Sequence, residues 1–93
     1  MTLSQRYKIN KDQAVHRIIA GEAVMLQLES GYYYSLDKIG TEIWKALDEN
    51  KSVGEIIDSL KEAYDVSDKR LENDVWALLK KLEKAQLIKA IKD

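Results

Sequence analysis

A chain of 93 residues holds one small domain. Its 15 basic and 16 acidic side chains leave a net charge of −1, which is no electrostatic footprint for a polyanion. The absence of cysteine excludes disulfides, thiolate metal sites, iron–sulfur clusters and thiol catalysis together.

With 45% hydrophobic and 33% charged residues, the composition is that of an ordinary globular fold. A domain this small buries roughly two thirds of the surface of its unfolded chain, which leaves little room for a deep enzyme cleft. The opening MTLSQRYKIN carries no apolar core of signal-peptide length, and no apolar run is long enough to span a bilayer. The expectation is therefore a cytoplasmic protein with no membrane and no nucleic-acid partner.

In chain order, residues 1–13 are polar except for Leu3, Tyr7 and Ile9, and read as a loose arm or a weak first strand of a single domain over residues 1–93. Ala14 to Ile19 is β-branched at three of six positions and fits a strand. Ala20-Gly21 makes a turn. Glu22 to Glu29 alternates, with Val24, Leu26 and Leu28 on one face and Met25, Gln27 and Glu29 on the other, the period of a half-buried strand. Ser30-Gly31 signals a hairpin turn. Tyr32 to Leu36 returns as a third strand, with Tyr32, Tyr34 and Leu36 sharing one face.

Helical patterning follows. Asp37 is an N-cap candidate before Ile39, Ile43, Trp44 and Leu47. Asn50-Lys51 interrupts the run. Ser52 and Glu55 have the spacing of a capping box, ahead of the apolar face of Ile56, Ile57, Leu60 and Tyr64. Ser67 caps a third helix from about Asp68 to Ala85 or Gln86. On a wheel with Leu71 at zero and about 100° per residue, Val75, Leu78 and Leu82 fall within about 40°. Leu79 lies about 80° away and Trp76 about 140° away, with Glu72 and Glu83 on the same flank. Two readings of Trp76 stay open: it packs on the N-terminal strands or a loop, or it floors a groove with Leu79 whose wall is the Tyr32–Leu36 strand.

The order of elements gives an α+β fold of winged-helix type: an N-terminal three-stranded antiparallel sheet followed by three helices. A winged helix that binds DNA as a transcription regulator is the alternative function. Phosphate neutralisation is its physical requirement, and Ser67 to Gln86 holds a nearly balanced set of charges. Lys80, Lys81 and Lys84 read as a solvated face. His16 is the only histidine and, without cysteine, builds no common metal site. Glu22, Glu29, Asp48 and Glu49 have no partner that spacing would make an acid/base pair. The glycines at 21, 31, 40 and 54 are too dispersed for a phosphate loop. No enzyme activity, cofactor or metal is expected. The short aromatic strand Tyr32–Leu36 lacks the charge and proline that usually blunt a sheet edge, which suggests recognition of an extended peptide by strand addition.

Four segments in order carry a resemblance: Gly31 to Asp37 (GYYYSLD), Trp44 to Leu47 (WKAL), Ser52 to Ile56 (SVGEI) and Asp74 to Leu79 (DVWALL). Together they resemble the PqqD-like family, also called recognition elements of ribosomally synthesised and post-translationally modified peptides, over nearly the whole chain. The similarity is greatest to freestanding members that work with lasso-peptide proteases. The chain departs from the pyrroloquinoline quinone subgroup, which tends to carry a proline-containing segment before the third strand. The resemblance implies a non-catalytic adaptor. It would hold the leader of a precursor peptide on the third strand and against the third helix, and deliver it to a modifying enzyme or leader protease encoded nearby. The implied peptide-binding residues are Tyr32, Tyr33, Tyr34, Ser35 and Leu36 on the strand and Glu72, Val75, Trp76, Leu79 and Lys80 on the helix.

Overall fold

The computed structural model describes residues 3–91. Eight elements follow in order: β1 (Arg6–Ile9), β2 (Ala14–Ile19), β3 (Glu22–Gln27), β4 (Tyr33–Ser35), α1 (Lys38–Asp48), α2 (Val53–Ala63), α3 (Asp68–Lys84) and β5 (Ile88–Ile91). The strand read from Tyr32 to Leu36 is thus β4, and the α+β arrangement of a three-stranded antiparallel sheet ahead of three helices is as expected.

The β2–β3 hairpin turns through Ala20 and Gly21, both at positive φ (52° and 82°), the backbone sense that matches strand twist. Gly31, at φ 77°, turns the chain from β3 into β4. The strand order is β2-β3-β4. The alternation along β3 has a definite sense: Ala23, Met25 and Gln27 face the core and are buried, while Val24, Leu26 and Leu28 face outward. The inner side chains lie beneath α1. The Ala23 amide donates to Thr41 Oγ1 at 2.8 Å, an approach that the small alanine permits. Trp44 of α1 is 1% exposed and meets the His16 ring edge-on at 5.3 Å. His16 is half-buried by that contact.

The helix boundaries follow local chemistry. Asp37 accepts from the Gly40 amide at 2.8 Å. Ser52 and Glu55 form both bonds of a capping box, at 2.8 and 3.3 Å. Ser67 caps α3. Helix α1 ends at Asn50 (φ 62°), where the Lys51 amide reaches back to the Ala46 carbonyl. Helix α3 ends in the same way at Gln86 (φ 61°), with the Leu87 amide on the Leu82 carbonyl. This paired closure satisfies carbonyls that would otherwise be orphaned at the helix ends.

Two features of the chain's ends differ from the sequence reading. Residues 6–9, placed in a loose arm or a weak strand, form β1. The segment after α3, for which no strand was expected, forms β5. The two pair antiparallel, Arg6 opposite Ile91 and Ile9 opposite Ile88. Tyr7, Ile9 and Ile88 are buried by that pairing, and Leu87 beside them is fully enclosed.

Candidate functional site

Hydrogen-bond parity decides which groups of β4 are open. The Leu36 amide donates to the Ala23 carbonyl and the Gln27 amide to the Tyr32 carbonyl, each at 2.9 Å. Bonded pairs alternate along an antiparallel ladder, and Met25 lies opposite Tyr34 between these two. Tyr34 therefore turns its N–H and C=O toward β3. Tyr33 and Ser35 turn theirs outward, where no described residue pairs with them.

That open edge borders a groove. Its opposite wall is one stripe of α3: Asp74, Leu78 and Lys81, continued by Ala85 at the helix end. Steps of four, three and four residues keep these side chains on one face of a helix. The first half of the groove lies between this stripe and Ser35, Leu36 and Asp37, with Ile39, Gly40 and Ile43 of α1 beneath. The second half lies between Lys84, Ala85 and Gln86 and the strand residues Tyr32 and Tyr34, with Gln27, Glu29 and Ser30 closing the end. Helix and strand thus run in opposite directions along the groove. A Cβ on Gly40 would stand 3.1 Å from Leu36 Cβ, so glycine allows the close approach of α1 to the strand end.

Opposite charges mark the two ends. Asp37 and Asp74 lie at the first, Lys81 and Lys84 toward the second, with Glu29 beyond. Asp74, Lys81 and Lys84 are exposed and belong to none of the ion pairs among the described residues. Bonds from the Ser52 amide and hydroxyl hold the Glu55 carboxyl below its ordinary range, and Arg6 and Lys51 add to this. Burial, with Glu83 nearby, pushes the Tyr7 hydroxyl up.

The expected site residues divide. Tyr32 to Leu36 lie along the edge: Tyr32 and Tyr33 are 68% and 73% exposed, Tyr34 is half-buried toward the core and Leu36 is buried at 8%. On α3 the structure sets the expected residues apart from the groove. Val75 and Leu79 are both at 0% exposure, so neither offers a surface for a ligand, and Leu78 is the half-buried residue at the groove. The buried arc is centred between Leu71 and Leu79, about 40° from where a wheel centred on Leu71 sets it. Glu72, Trp76 and Lys80 fall on the far flank, roughly half a turn from the groove stripe. Glu83 is on that flank too, and its charge acts on Tyr7 of β1. Trp76 is half-buried and packs against the core there. The sequence reading set Leu78 on the stripe of Leu71, took Lys81 for a solvated face and gave Asp74 no site role, although the spacing of the three carried the signal.

The sheet's other edge, β2, differs. The hollow beside it is lined by strand residues alone, among them Val15, Arg17, Leu26 and Tyr33, on the outer face of the sheet. Among the described residues no group of three or more His, Cys, Asp or Glu side chains could hold a metal ion. Nor, among them, is any helix long and apolar enough to cross a membrane.

Comparisons with known proteins find the same fold. The structure of TbiB1 in complex with the TbiA(beta) leader peptide superposes with a TM-score of 0.83 at 35% identity, covering 92% of this chain and 99% of that one. A lasso peptide synthetase B1 complexed with its leader peptide shares the fold at a TM-score of 0.79 and 21% identity, covering 94% of this chain and 99% of that one. No curated protein matches the sequence significantly. The family model described as coenzyme PQQ synthesis protein D matches residues 22–88, from the first residue of β3 to the first of β5. The chain belongs to the PqqD family.

Proposed function

We propose that this protein is a non-catalytic adaptor that binds the leader segment of a ribosomally synthesised precursor peptide and delivers it to a modifying enzyme or leader protease. The observation that carries the reading is the open edge of β4, set beside a groove walled by one stripe of α3. The leader-peptide complex of TbiB1, a protein of like fold and 35% identity, supports it.

The leader enters the groove as a strand. It exchanges backbone bonds with Tyr33 and Ser35, which give affinity with little sequence choice. Alternate leader side chains point toward Leu78 and Ile39, where burying an apolar group contributes about 1.5–3 kcal/mol. Ordering a disordered leader costs about 2–5 kcal/mol of the gross gain, so contacts at the groove floor decide the affinity. Holding the leader also raises the effective concentration of the attached core peptide at a bound enzyme.

Hydrogen exchange and calorimetry with the leader of the precursor encoded beside this protein test the reading. The expected result is saturable binding, with the Tyr33 and Ser35 amides protected only when leader is present. Binding that leaves both amides exchanging freely overturns strand addition, and absence of binding at high micromolar leader overturns the function.

A further inference from the structure

We infer that the groove selects for charge as well as shape: it takes extended peptides in which a basic and an acidic side chain flank an apolar one at two-residue spacing. The inference rests on the strand-addition reading and concerns which peptides that site accepts.

Three observations lead to it. The acidic end, Asp37 and Asp74, and the basic end, Lys81 and Lys84, lie on either side of an apolar stretch that includes Leu78. Asp74, Lys81 and Lys84 are exposed and take no part in the ion pairs among the described residues, so their charges are available to a ligand. The lengths also match. At 1.5 Å per residue, Asp74 lies about 10 Å along the helix from Lys81 and about 15 Å from Lys84. An extended peptide advances about 3.4 Å per residue, so side chains at positions 1, 3 and 5 share one face and span about 14 Å. Position 1 then meets the aspartates, position 3 the apolar floor and position 5 the lysines.

The pattern satisfies either strand direction, because the backbone bonds and not the charges set direction. Glu29 beyond Lys84 confines the basic region to the space between Lys81 and Lys84 and disfavours a peptide with acidic residues running past it. Pairs at an open rim are screened, and each charged end is worth about two- to fivefold in affinity at low salt, less as salt rises.

A displayed library of random heptapeptides, selected at low salt on the wild-type protein and on the Asp74→Lys and Lys81→Glu variants, tests this. Both positions are exposed, and circular dichroism checks that the variants are folded. Synthetic copies of recovered peptides are then titrated by calorimetry and mapped by hydrogen exchange. The expected result is enrichment of opposite charges around an apolar residue on the wild type. Asp74→Lys should shift selection to acidic residues at both outer positions, and Lys81→Glu to basic residues at both. Peptides that protect the Tyr33 and Ser35 amides but show no charge pattern, or the same pattern on all three proteins, overturn this inference and leave strand addition standing. Recovery of no peptide, or only of peptides that leave β4 unprotected, overturns both.

Discussion

Parity along β4 makes adjacent tyrosines unequal. Tyr34 is held between two bonded positions and directs its amide to β3, whereas the Tyr33 amide points to the open edge. Proline lacks the N–H and is excluded from paired strand interiors. Tyr34→Pro should therefore remove a ladder bond and lower the denaturant midpoint. Tyr33→Pro should leave the melting curve near wild type and weaken leader binding in calorimetry. The opposite assignment of the two effects would mean that the edge is not read through its backbone. The same scale governs Glu55. Its carboxylate is favoured in the fold by the Ser52 bonds, so the stabilisation is present above the ordinary value of 4.5 and is lost as pH falls below it through the lowered folded value. Glu55→Gln should flatten that part of the acid side of the stability profile, read from urea midpoints across the pH range.

Helix α3 has two partly exposed flanks on either side of one buried arc. Leu79 is enclosed and Leu78 borders the groove, although they are neighbours in sequence. Truncating an enclosed leucine costs about 2–5 kcal/mol, so Leu79→Ala should lower stability by that amount. Leu78→Ala should cost less stability and reduce leader affinity. Trp76→Ala should disturb packing against the core more than binding, since Trp76 lies away from the groove. If Trp76→Ala abolishes binding at unchanged stability, the leader lies on the other flank. This contrast also marks what the sequence could tell. Caps at Asp37, Ser52 and Ser67 were legible because each is a local side-chain-to-amide bond. The open edge was legible from the composition of residues 32–36. The rotation of α3 was not, because Leu71, Val75, Leu78, Leu79 and Leu82 make an apolar arc wider than the buried one, and only the neighbouring elements choose its centre. The inward face of β3 was undetermined for the same reason: Val24 and Leu26 are as apolar as Met25, and the fit of Ala23 under Thr41 decides. Strand β5 was missed because four residues after a helix carry little period of their own and depend on a partner strand at the other end of the sequence.

At the scale of the molecule, that long-range pair closes the fold and keeps the groove side separate from the side that β1 covers. β1 pairs with β5 directly after α3, so the Schellman end at Gln86 and the β1–β5 ladder together fix where the helix stops beside Tyr32 and Tyr34. Tyr7 reports on this closure. Burial and the nearby Glu83 carboxylate both disfavour its phenolate, so its hydroxyl is held above the ordinary 10.0 in the folded chain. A raised folded value contributes stability that is fully present below the unfolded value and is lost as pH rises through the folded one. Stability should therefore fall above about pH 10 by an amount that depends on Tyr7. Tyr7→Phe keeps the ring and removes the ionisation. Urea midpoints for the two proteins should run in parallel through neutral pH and separate in alkali, with Tyr7→Phe falling less. Hydrogen exchange in the same alkaline range should show the β1–β5 amides of wild type opening before those of β2–β3. If the two proteins lose stability equally above pH 10, Tyr7 is not held by this closure. If β2–β3 opens first, the two-stranded sheet is not what yields when the Tyr7 proton leaves.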